Sequence, residues 1–433
     1  MARSFRGGIT PEPFKLTAGR PLEEMQAPSF VTLPLSHPGT VPAIPVVEVG
    51  QRVLKGQKIA EMGQGESVSV FASVSGTVSA IGSVQTHFGE SISITIENDF
   101  KEEISPDITP FDTPISKAEP ERLCRYIKEK GIVSMSGDAF PTWAKIESAG
   151  NDITRLIINC AESEPYLSST HRLLLEKTEE ILGGVKILLR ATGAERAIFA
   201  LENDKEDAVD ALSKVLGKSP AFAVAVLKSK YPQGDERQLV RALLGKEIPQ
   251  NKKAKDLRAL VISAETCLCI YRAFVTGLPP VTRALTVNGN CIKEPLNLVV
   301  PMGADLRSVI DRAGGFSLMP DKIIAGGPMM GLAQWTTFVP VTAGVTGVIA
   351  MRSDRVKASA CIRCGKCVKA CPSRLLPLEL SRAVKTGNVE MLKQYHIEAC
   401  NGCGCCTYVC PAKIPILQNI RAGKEMLAPK NEA

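Results

Sequence analysis

Cysteine spacing constrains this chain more than any other feature. Cys361, Cys364, Cys367 and Cys371 form C-x2-C-x2-C-x3-C before Pro372, and Cys400, Cys403, Cys406 and Cys410 repeat the pattern before Pro411. Such a run wraps a 4Fe–4S cubane with three closely set thiolates, while its fourth cysteine, a helical turn further on, ligates the other cluster of the pair. The spacing therefore predicts one cluster held by Cys361, Cys364, Cys367 and Cys410, and another held by Cys400, Cys403, Cys406 and Cys371. Gly365 and Gly404 lie inside the loops, where a missing Cβ lets backbone approach a cluster and donate N–H groups to its sulfurs. Pro372 and Pro411 bias the chain out of helix. Between the runs, Leu376 to Tyr395 reads as helical. Two four-cysteine zinc sites are the alternative, but zinc sites are normally built from paired CxxC units. Cys405 is out of register with the ligands and reads as a packed small residue. Cys124, Cys160, Cys267, Cys269 and Cys291 show no ligand spacing and read as core cysteines.

Nine of the 14 cysteines fall between 361 and 410, in a chain whose opening MARSFRGGITPEPFK has no apolar leader. That combination points to metal and not to disulfides. A length of 433 residues implies about three domains. No apolar run reaches the roughly 18 residues of a membrane span, so the expected location is the cytoplasm or the cytoplasmic face of a membrane assembly, held there peripherally. The formal charge of +7, from 52 Lys and Arg against 45 Asp and Glu, reads as modest and spread along the chain. With no basic block and interleaved aromatics, nucleic-acid binding is not indicated. A positive balance suits an acidic redox partner or an anionic membrane surface.

Ahead of the cysteines, three kinds of pattern follow one another. Residues 28 to 97 alternate short apolar stretches (Ile44–Val49, Val68–Ala72, Val74–Ile81, Ile92–Ile96) with Gly, Pro and Ser, which predicts an all-β module. It is similar to the barrel-sandwich domains of biotinyl and lipoyl carriers. The hairpin stretch Glu66 to Val70, however, has no lysine to carry a swinging arm, so docking or scaffolding is the expected role. Residues 99 to 118 read as a linker. From Glu119 strands alternate with helices: Leu156–Cys160, Ala197–Leu201 and Phe222–Leu227 as buried strands, Leu173–Arg190 and Asp204–Leu216 as helices. Three loops here carry candidate chemistry. Gly131 to Lys145 is a small-residue loop ending in a cation, suited to a phosphate. Asn159 to Tyr166 is a polar loop directly after a strand, where α/β folds place ligands. Tyr231-Pro232-Gln233-Gly234-Asp235-Glu236 is the third. Residues 283 to 331 suggest a small β-grasp unit, in which Gly326 to Gly331 reads as a turn and packing element.

These blocks, in this order, resemble the C subunit of the Rnf complex. The likeness rests on Phe5-Arg6-Gly7-Gly8-Ile9, the carrier-like barrel, Gly131–Lys145, Glu162-Ser163-Glu164-Pro165-Tyr166, Tyr231-Pro232-Gln233-Gly234, Gly326–Gly331 and the twin cysteine runs, and it spans essentially the whole chain. It implies a multidomain α/β plus β architecture. The units would be a barrel-sandwich hybrid at 1–98, a complex-I-like α/β flavin-binding domain at 119–280, a β-grasp (SLBB-like) domain at 281–345 and a helical ferredoxin-like domain with two 4Fe–4S clusters at 350–425. It further implies a peripheral subunit of a membrane-bound ferredoxin:NAD+ oxidoreductase that couples electron flow to Na+ or H+ translocation. FMN and NAD(H) would be bound beside the clusters, the partners would be the other Rnf-type subunits, and ferredoxin would be reached indirectly. Against the related glycine loop G-x-x-G-x-G-G-A-G-F-P-T-x-x-K, Gly131, Gly137, Phe140, Pro141, Thr142 and Lys145 match. Ser134, Ser136, Asp138 and Ala139 depart from it. Asn159, Glu162, Ser163, Glu164 and Pro165 match the second loop, Gly234 and Glu236 the third, and Thr266 remains from a later ring-side stretch. The implied flavin and nicotinamide residues are therefore Gly131, Gly137, Phe140, Lys145, Asn159, Glu162, Ser163, Glu164, Gly234, Glu236 and Thr266, with Lys145 as the phosphate cation. Three readings stand at this stage: a flavin-dependent NAD-linked electron-transfer subunit, a wire-like adapter whose altered glycine loop no longer holds flavin, and a soluble redox sensor or scaffold, against which the full ligand sets argue.

Overall fold

The computed structural model describes residues 3–352 and 356–427, without the side chain of Asn151. Residues 1–2 and 353–355 of the expected first and last units lie outside the described residues.

The all-β module closes two sheets over one core. Strands Phe30–Pro34, Gly89–Asn98, Gly76–Thr86 and Arg52–Val53 lie side by side in that order, and Ile44–Pro45, Lys58–Glu61 and Val70–Phe71 form the second sheet. Val31, Val53, Ile59, Ile94 and Ile96 are fully buried between them. The expected strand at Ile44–Val49 shrinks to two exposed residues, because Pro45 offers no N–H and the stretch leaves the sheet. The hairpin tip that bears the lysine in carriers is packed away here. Ser67 is fully buried, and its carbonyl accepts a hydrogen bond from Trp143 Nε1 at 3.1 Å. A Cβ on Gly131 would fall 2.5 Å from the Ser69 carbonyl oxygen. The tip is therefore a docking surface for the next unit.

That unit is a parallel sheet in the order Phe222–Leu227, Arg196–Glu202, Arg155–Asn159, Ala259–Ser263. Its hydrophobic strands are covered on both faces, as a parallel sheet requires. The expected helix Leu173–Arg190 is two helices, Ser169–Glu176 and Thr178–Thr192, broken at Lys177. Thr178–Thr192 crosses Ala264–Thr276 so closely that a Cβ on Gly184 would lie 1.8 Å from the Cys267 carbonyl oxygen. After Arg155–Asn159 the chain adds strands on one side, then returns to place Ala259–Ser263 on the other. The carboxyl ends of those two neighbours form a topological switch point, where open α/β sheets leave a crevice.

The β-grasp unit is a mixed sheet in the order Leu22–Glu24, Leu296–Pro301, Thr282–Asn288, Gly347–Met351, Lys322–Ala325, Leu332–Gln334. Two of its strands come from outside the span 281–345: Leu22–Glu24 at one edge, and Gly347–Met351 beside Thr282–Asn288. Residues 3–24 are thus a strap and not part of the barrel. Arg3 bridges to Leu227, Gly8 N donates to the Ala370 carbonyl at 2.8 Å, and Ile9 and Tyr231 exchange backbone bonds at 2.9 Å. Further on, Phe14 stacks on Tyr166 with ring centroids 4.9 Å apart.

In the last unit the two cysteine runs repeat at an offset of 39 residues, and the backbone repeats with them. Arg363 and Gly402, Gly365 and Gly404, and Arg374 and Lys413 all take positive φ at matching places. Helices Pro377–Lys385 and Ile416–Leu427 also begin 39 residues apart. The stretch Leu376 to Tyr395 is not one helix. It breaks at Gly387, in left-handed backbone at φ 64°, into Pro377–Lys385 and Val389–Gln394.

Candidate functional site

Cys361, Cys364, Cys367 and Cys410 line one cavity of about 290 Å³. Cys361 and Cys364 are exposed, Cys367 and Cys410 buried. This outer cage brings together three cysteines of the first run and the last of the second. The other set, Cys371, Cys400, Cys403 and Cys406, is more enclosed and mutually close. Burial, then Cys403, Cys400 and Cys371, pushes the Cys406 thiol up to about 12. Burial and the Cys403 and Cys400 thiols push Cys371 up to about 11. Cys403 is also raised, first through its hydrogen bond with Cys405 and then by burial. Like charges so gathered resist ionisation unless a cation neutralises them, and an iron core bound by thiolates does that. Backbone amides are already directed at sulfur: Arg363 N lies 3.4 Å from Cys361 Sγ, and Leu375 N 3.4 Å from Cys371 Sγ. Four thiols around a cavity, with N–H donors beside them, are the donor set that a cubane takes.

At the switch point lies a larger cavity of about 510 Å³, within the range of small-molecule sites. Asn159 and Ser263, the last residues of the two central strands, form its floor. Of the residues expected around a flavin, Gly137, Asn159, Glu162, Ser163, Glu164 and Gly234 line it. Gly131, Phe140, Lys145, Glu236 and Thr266 do not. Gly131 is spent on the contact with the barrel. Lys145 Nζ pairs with Glu236 Oε2 at 2.8 Å, away from the cavity. Lys253 lies over the Phe140 ring at 5.4 Å. Thr266 Oγ1 accepts from Met135 N at 2.9 Å and so braces the glycine loop from behind.

The glycine loop is held by its own substituted side chains. Ser134 and Ser136 hydroxyls are 2.5 Å apart, and Ser136 Oγ donates to Asp138 Oδ1 at 2.9 Å. A Cβ on Gly137 would meet nothing within 4 Å. The amides of Ser136, Gly137 and Asp138 have no acceptor among the described residues, which leaves consecutive N–H groups for an anion. Most carboxylates of the cavity are engaged in shaping it. Glu162 accepts from Thr170 N at 2.8 Å and His171 N at 3.3 Å. Glu164 accepts from Met329 N at 3.0 Å and Met330 N at 2.8 Å, and burial pushes it up to about 7. Asp235 caps the Glu236–Leu244 helix through Gln238 N. A flavin therefore meets mostly committed polar groups and an open nest of amides, and the cavity fits it.

Several residues that line or brace the cavity come from places that the sequence did not single out. Lys15, on the strap, donates to the carbonyls of Glu162 at 2.7 Å, Glu164 at 2.9 Å and Leu167. The residue is half-buried, but its ammonium is enclosed by these carbonyls, and that enclosure pulls it down against the Coulombic support of Glu162. Arg283 reaches the wall from the β-grasp sheet, where it pairs with Glu265 at 2.9 Å and donates to the Ala343 carbonyl at 2.5 Å. His87 comes from a barrel hairpin, and burial pulls it down to about 4, so it is neutral. Gly326, Gly327 and Met330 line the same cavity; the Gly326–Gly331 run is wall as well as turn. Lys15 lies six residues after Ile9 and could have been marked. Nothing local marks Arg283 or His87.

Cavity and inner cage share walls. Tyr231 lines the cavity, and its hydroxyl donates to the Cys403 carbonyl at 2.7 Å. Asp235 Oδ2 accepts from Asn401 at 3.1 Å. Met329, whose amide Glu164 holds, lies against Gly404: a Cβ there would be 3.3 Å from the Met329 carbonyl oxygen.

Four family matches follow the chain in order. They are the RnfC barrel-sandwich hybrid domain over 3–101, the Nuo51 FMN-binding domain over 127–272, the SLBB domain over 285–333 and a 4Fe–4S dicluster domain over 360–414. Among whole proteins, the chain is similar to the C subunit of the Na+-translocating ferredoxin:NAD+ oxidoreductase complex of Acetobacterium woodii, 36% identical over 87% of this chain and 86% of that one. It is similar to the C subunit of the proton-translocating ferredoxin:NAD+ oxidoreductase complex of Clostridium ljungdahlii, 37% identical over 88% and 84%. The C subunit of the ion-translocating oxidoreductase complex of Rhodobacter capsulatus is 36% identical over 89% and 76%.

Proposed function

The chain belongs to the RnfC family, the C subunits of ion-translocating ferredoxin:NAD+ oxidoreductase complexes, and from that membership we propose that it relays electrons between NAD(H) and the other subunits of such a complex. FMN in the switch-point cavity and two 4Fe–4S clusters are its carriers, and the complex couples the flow to Na+ or H+ movement. FMN supplies the conversion between a hydride and single electrons, which clusters carry one at a time. The residues of this chain do the rest. The Ser136–Asp138 amides present donors to the flavin phosphate. Asn159, Glu162 and Gly234 shape the ring side, with Lys15 holding their loop from beneath. Ser163 and Glu164 border the space left for a nicotinamide. Cys371, Cys400, Cys403 and Cys406 hold the cluster nearer the cavity; Cys361, Cys364, Cys367 and Cys410 hold the one nearer the surface. The observation that carries this order is Tyr231, at once a wall of the cavity and the hydrogen-bond partner of a ligand-bearing loop.

Among the described residues no helix is long and apolar enough to cross a membrane; in this reading, attachment to the complex is peripheral, through partner subunits. We place it on the cytoplasmic side, where NAD(H) and ferredoxin are available.

An adapter without flavin remains as a second reading, favoured by one observation: Lys145 is tied to Glu236 outside the cavity, so no side-chain cation from the glycine loop reaches a phosphate. One anaerobic preparation decides between them. About eight irons and eight sulfides per chain, one released FMN and NADH-driven reduction of a neutral quinone are expected. Lys15→Met, which strands three carbonyls under the loop, should lower flavin affinity at least about tenfold while iron content holds. Clusters without flavin and without NADH-driven turnover would establish the adapter.

A further inference from the structure

The charge of the chain is not spread along it, contrary to the sequence expectation. Residues 356 to 427 hold eleven Lys and Arg against four Asp and Glu, and the rest of the chain holds 41 of each. The whole formal charge of +7 therefore sits on the unit that carries the thiol cages. Part of it is counter-charge. An oxidised 4Fe–4S core with four thiolates carries about −2, so two clusters offset about four of the seven.

The remainder is placed unevenly. Around the inner cage two cations are engaged and one acts on a thiol: Arg374 pairs with Glu247, Lys424 Nζ donates to the Cys400 carbonyl at 2.5 Å, and half-buried Arg421 acts on Cys400 through its charge. Around the outer cage they are largely free. Arg363, Lys366, Arg382 and Lys385 line the same cavity as the outer thiols. All four are exposed, and among the described residues only Arg382 has a carboxylate partner, Glu379 at 3.9 Å. Ile362, 68% exposed, stands between the two exposed ligands Cys361 and Cys364. An apolar spot over a redox centre, ringed by four cations and the single carboxylate of Glu379, is the anatomy of a fast, short-lived protein contact. The ring steers encounter and the spot brings the centres close.

We propose that the face around Cys361 and Cys364 is the docking site of an acidic redox protein, which exchanges electrons with the outer cluster. This rests on the relay reading above. An anionic lipid surface would also attract the ring. It fits less well, because the patch is centred on exposed cluster ligands and offers one apolar side chain where membrane-surface elements offer an apolar face.

The test uses the full chain with both clusters and a small acidic ferredoxin, reduced with dithionite, as probe. Stopped-flow reduction and low-salt fluorescence anisotropy measure rate and affinity. Wild type should slow at least about tenfold between roughly 50 and 500 mM KCl as screening shortens the reach of the ring. Arg363→Glu with Arg382→Glu should lose at least about tenfold in rate at low salt, and most of the salt dependence. Lys214→Glu with Lys218→Glu, on the distant Glu206–Leu216 helix and its exit, should change neither. Unchanged rate and affinity in the Arg363/Arg382 variant would overturn the proposal. So would a variant that loses binding to phosphatidylserine vesicles while keeping its ferredoxin kinetics. NADH-driven reduction of a neutral quinone, run in parallel, reports on the relay. Should it fail in wild type, the relay reading falls, and the anisotropy titration still decides the docking face.

Discussion

The two cages are built from one backbone motif used twice, yet their surroundings differ along the loops that hold the first three cysteines of each run. Ile362 is 68% exposed; its counterpart 39 residues on, Asn401, is tied to Asp235 on the wall of the large cavity. Lys366 is exposed; its counterpart, Cys405, is fully buried. The strap crosses the inner cage: a Cβ on Gly7 would lie 2.6 Å from the Cys371 carbonyl oxygen, so that position admits only glycine. Nothing comparable crosses Cys361 among the described residues. What the difference teaches is that ligand spacing sets the cluster, while contacts from other units decide which cluster faces the flavin and which faces a partner.

The strongest way to break that comparison is to remove the one ligand that each run lends to the other. Cys371→Ala should leave about four irons, held by the outer cage, and Cys410→Ala about four held by the inner one. The exposed cluster should be the faster to bleach under a chelator or mild oxidant. Cys410→Ala should therefore keep its remaining iron longer than Cys371→Ala does. If the order were reversed, the assignment of each fourth cysteine to the opposite run would be wrong.

Next in size is the acid that fastens the cavity to the inner cage. Burial holds Glu164 at about 7, above its ordinary 4.5. The folded protein then binds more protons than the unfolded chain between those values, so stability falls as pH rises through that window and levels off above it. The full span is worth about 3 kcal/mol as an upper figure. Glu164→Gln should flatten apparent Tm between pH 5 and 7, although it gives up one of the two bonds to Met329 and Met330. A retained slope would assign that titration elsewhere.

Tyr231→Phe sharpens the contrast at smaller cost. It leaves the Cys403 carbonyl without its hydroxyl donor, a loss of about 1–3 kcal/mol. Redox titration should show the potential of the inner cluster moving and that of the outer one staying. Equal movement of both would mean that Tyr231 acts on the domain as a whole.

How much of this could be read from the sequence follows from how local each cause is. Cluster-loop geometry is dictated by residues within a few positions of one another, so Gly365, Gly404 and the cysteine spacing announced it. Polar residues directly after a strand marked Asn159, Glu162 and Glu164. Lys145 ended a loop in the way a phosphate cation would, but its partner Glu236 is 91 residues away, and such a pairing has no local trace. Arg283 and His87 reach the cavity from two other units for the same reason. The helix break at Gly387 was visible as a glycine and was overridden by the apolar period around it. The charge distribution needed only a count by segment.

The smallest predicted effect concerns the position where the two runs differ in kind. Cys405 is adjacent to the ligand Cys406 and fully buried against Ile9, Tyr231 and Ala370. Register makes Cys406 the ligand, as Cys367 is in the outer run, and matches Cys405 to Lys366, which cannot ligate iron through an ammonium. If the matching backbone means matching ligation, Cys405→Ser should keep all the iron, with both cluster spectra intact. The cost should then be that of placing a hydroxyl where a weakly polar thiol had packed, about 1 kcal/mol or less if the new hydroxyl finds an acceptor. Cys405→Lys asks the opposite question, since it installs the outer residue in the inner site. A buried ammonium there would have no water and would be much worse tolerated. Loss of about four irons in Cys405→Ser would make it a ligand and end the symmetry between the runs; retention would leave the two cages alike in chemistry and different only in what covers them.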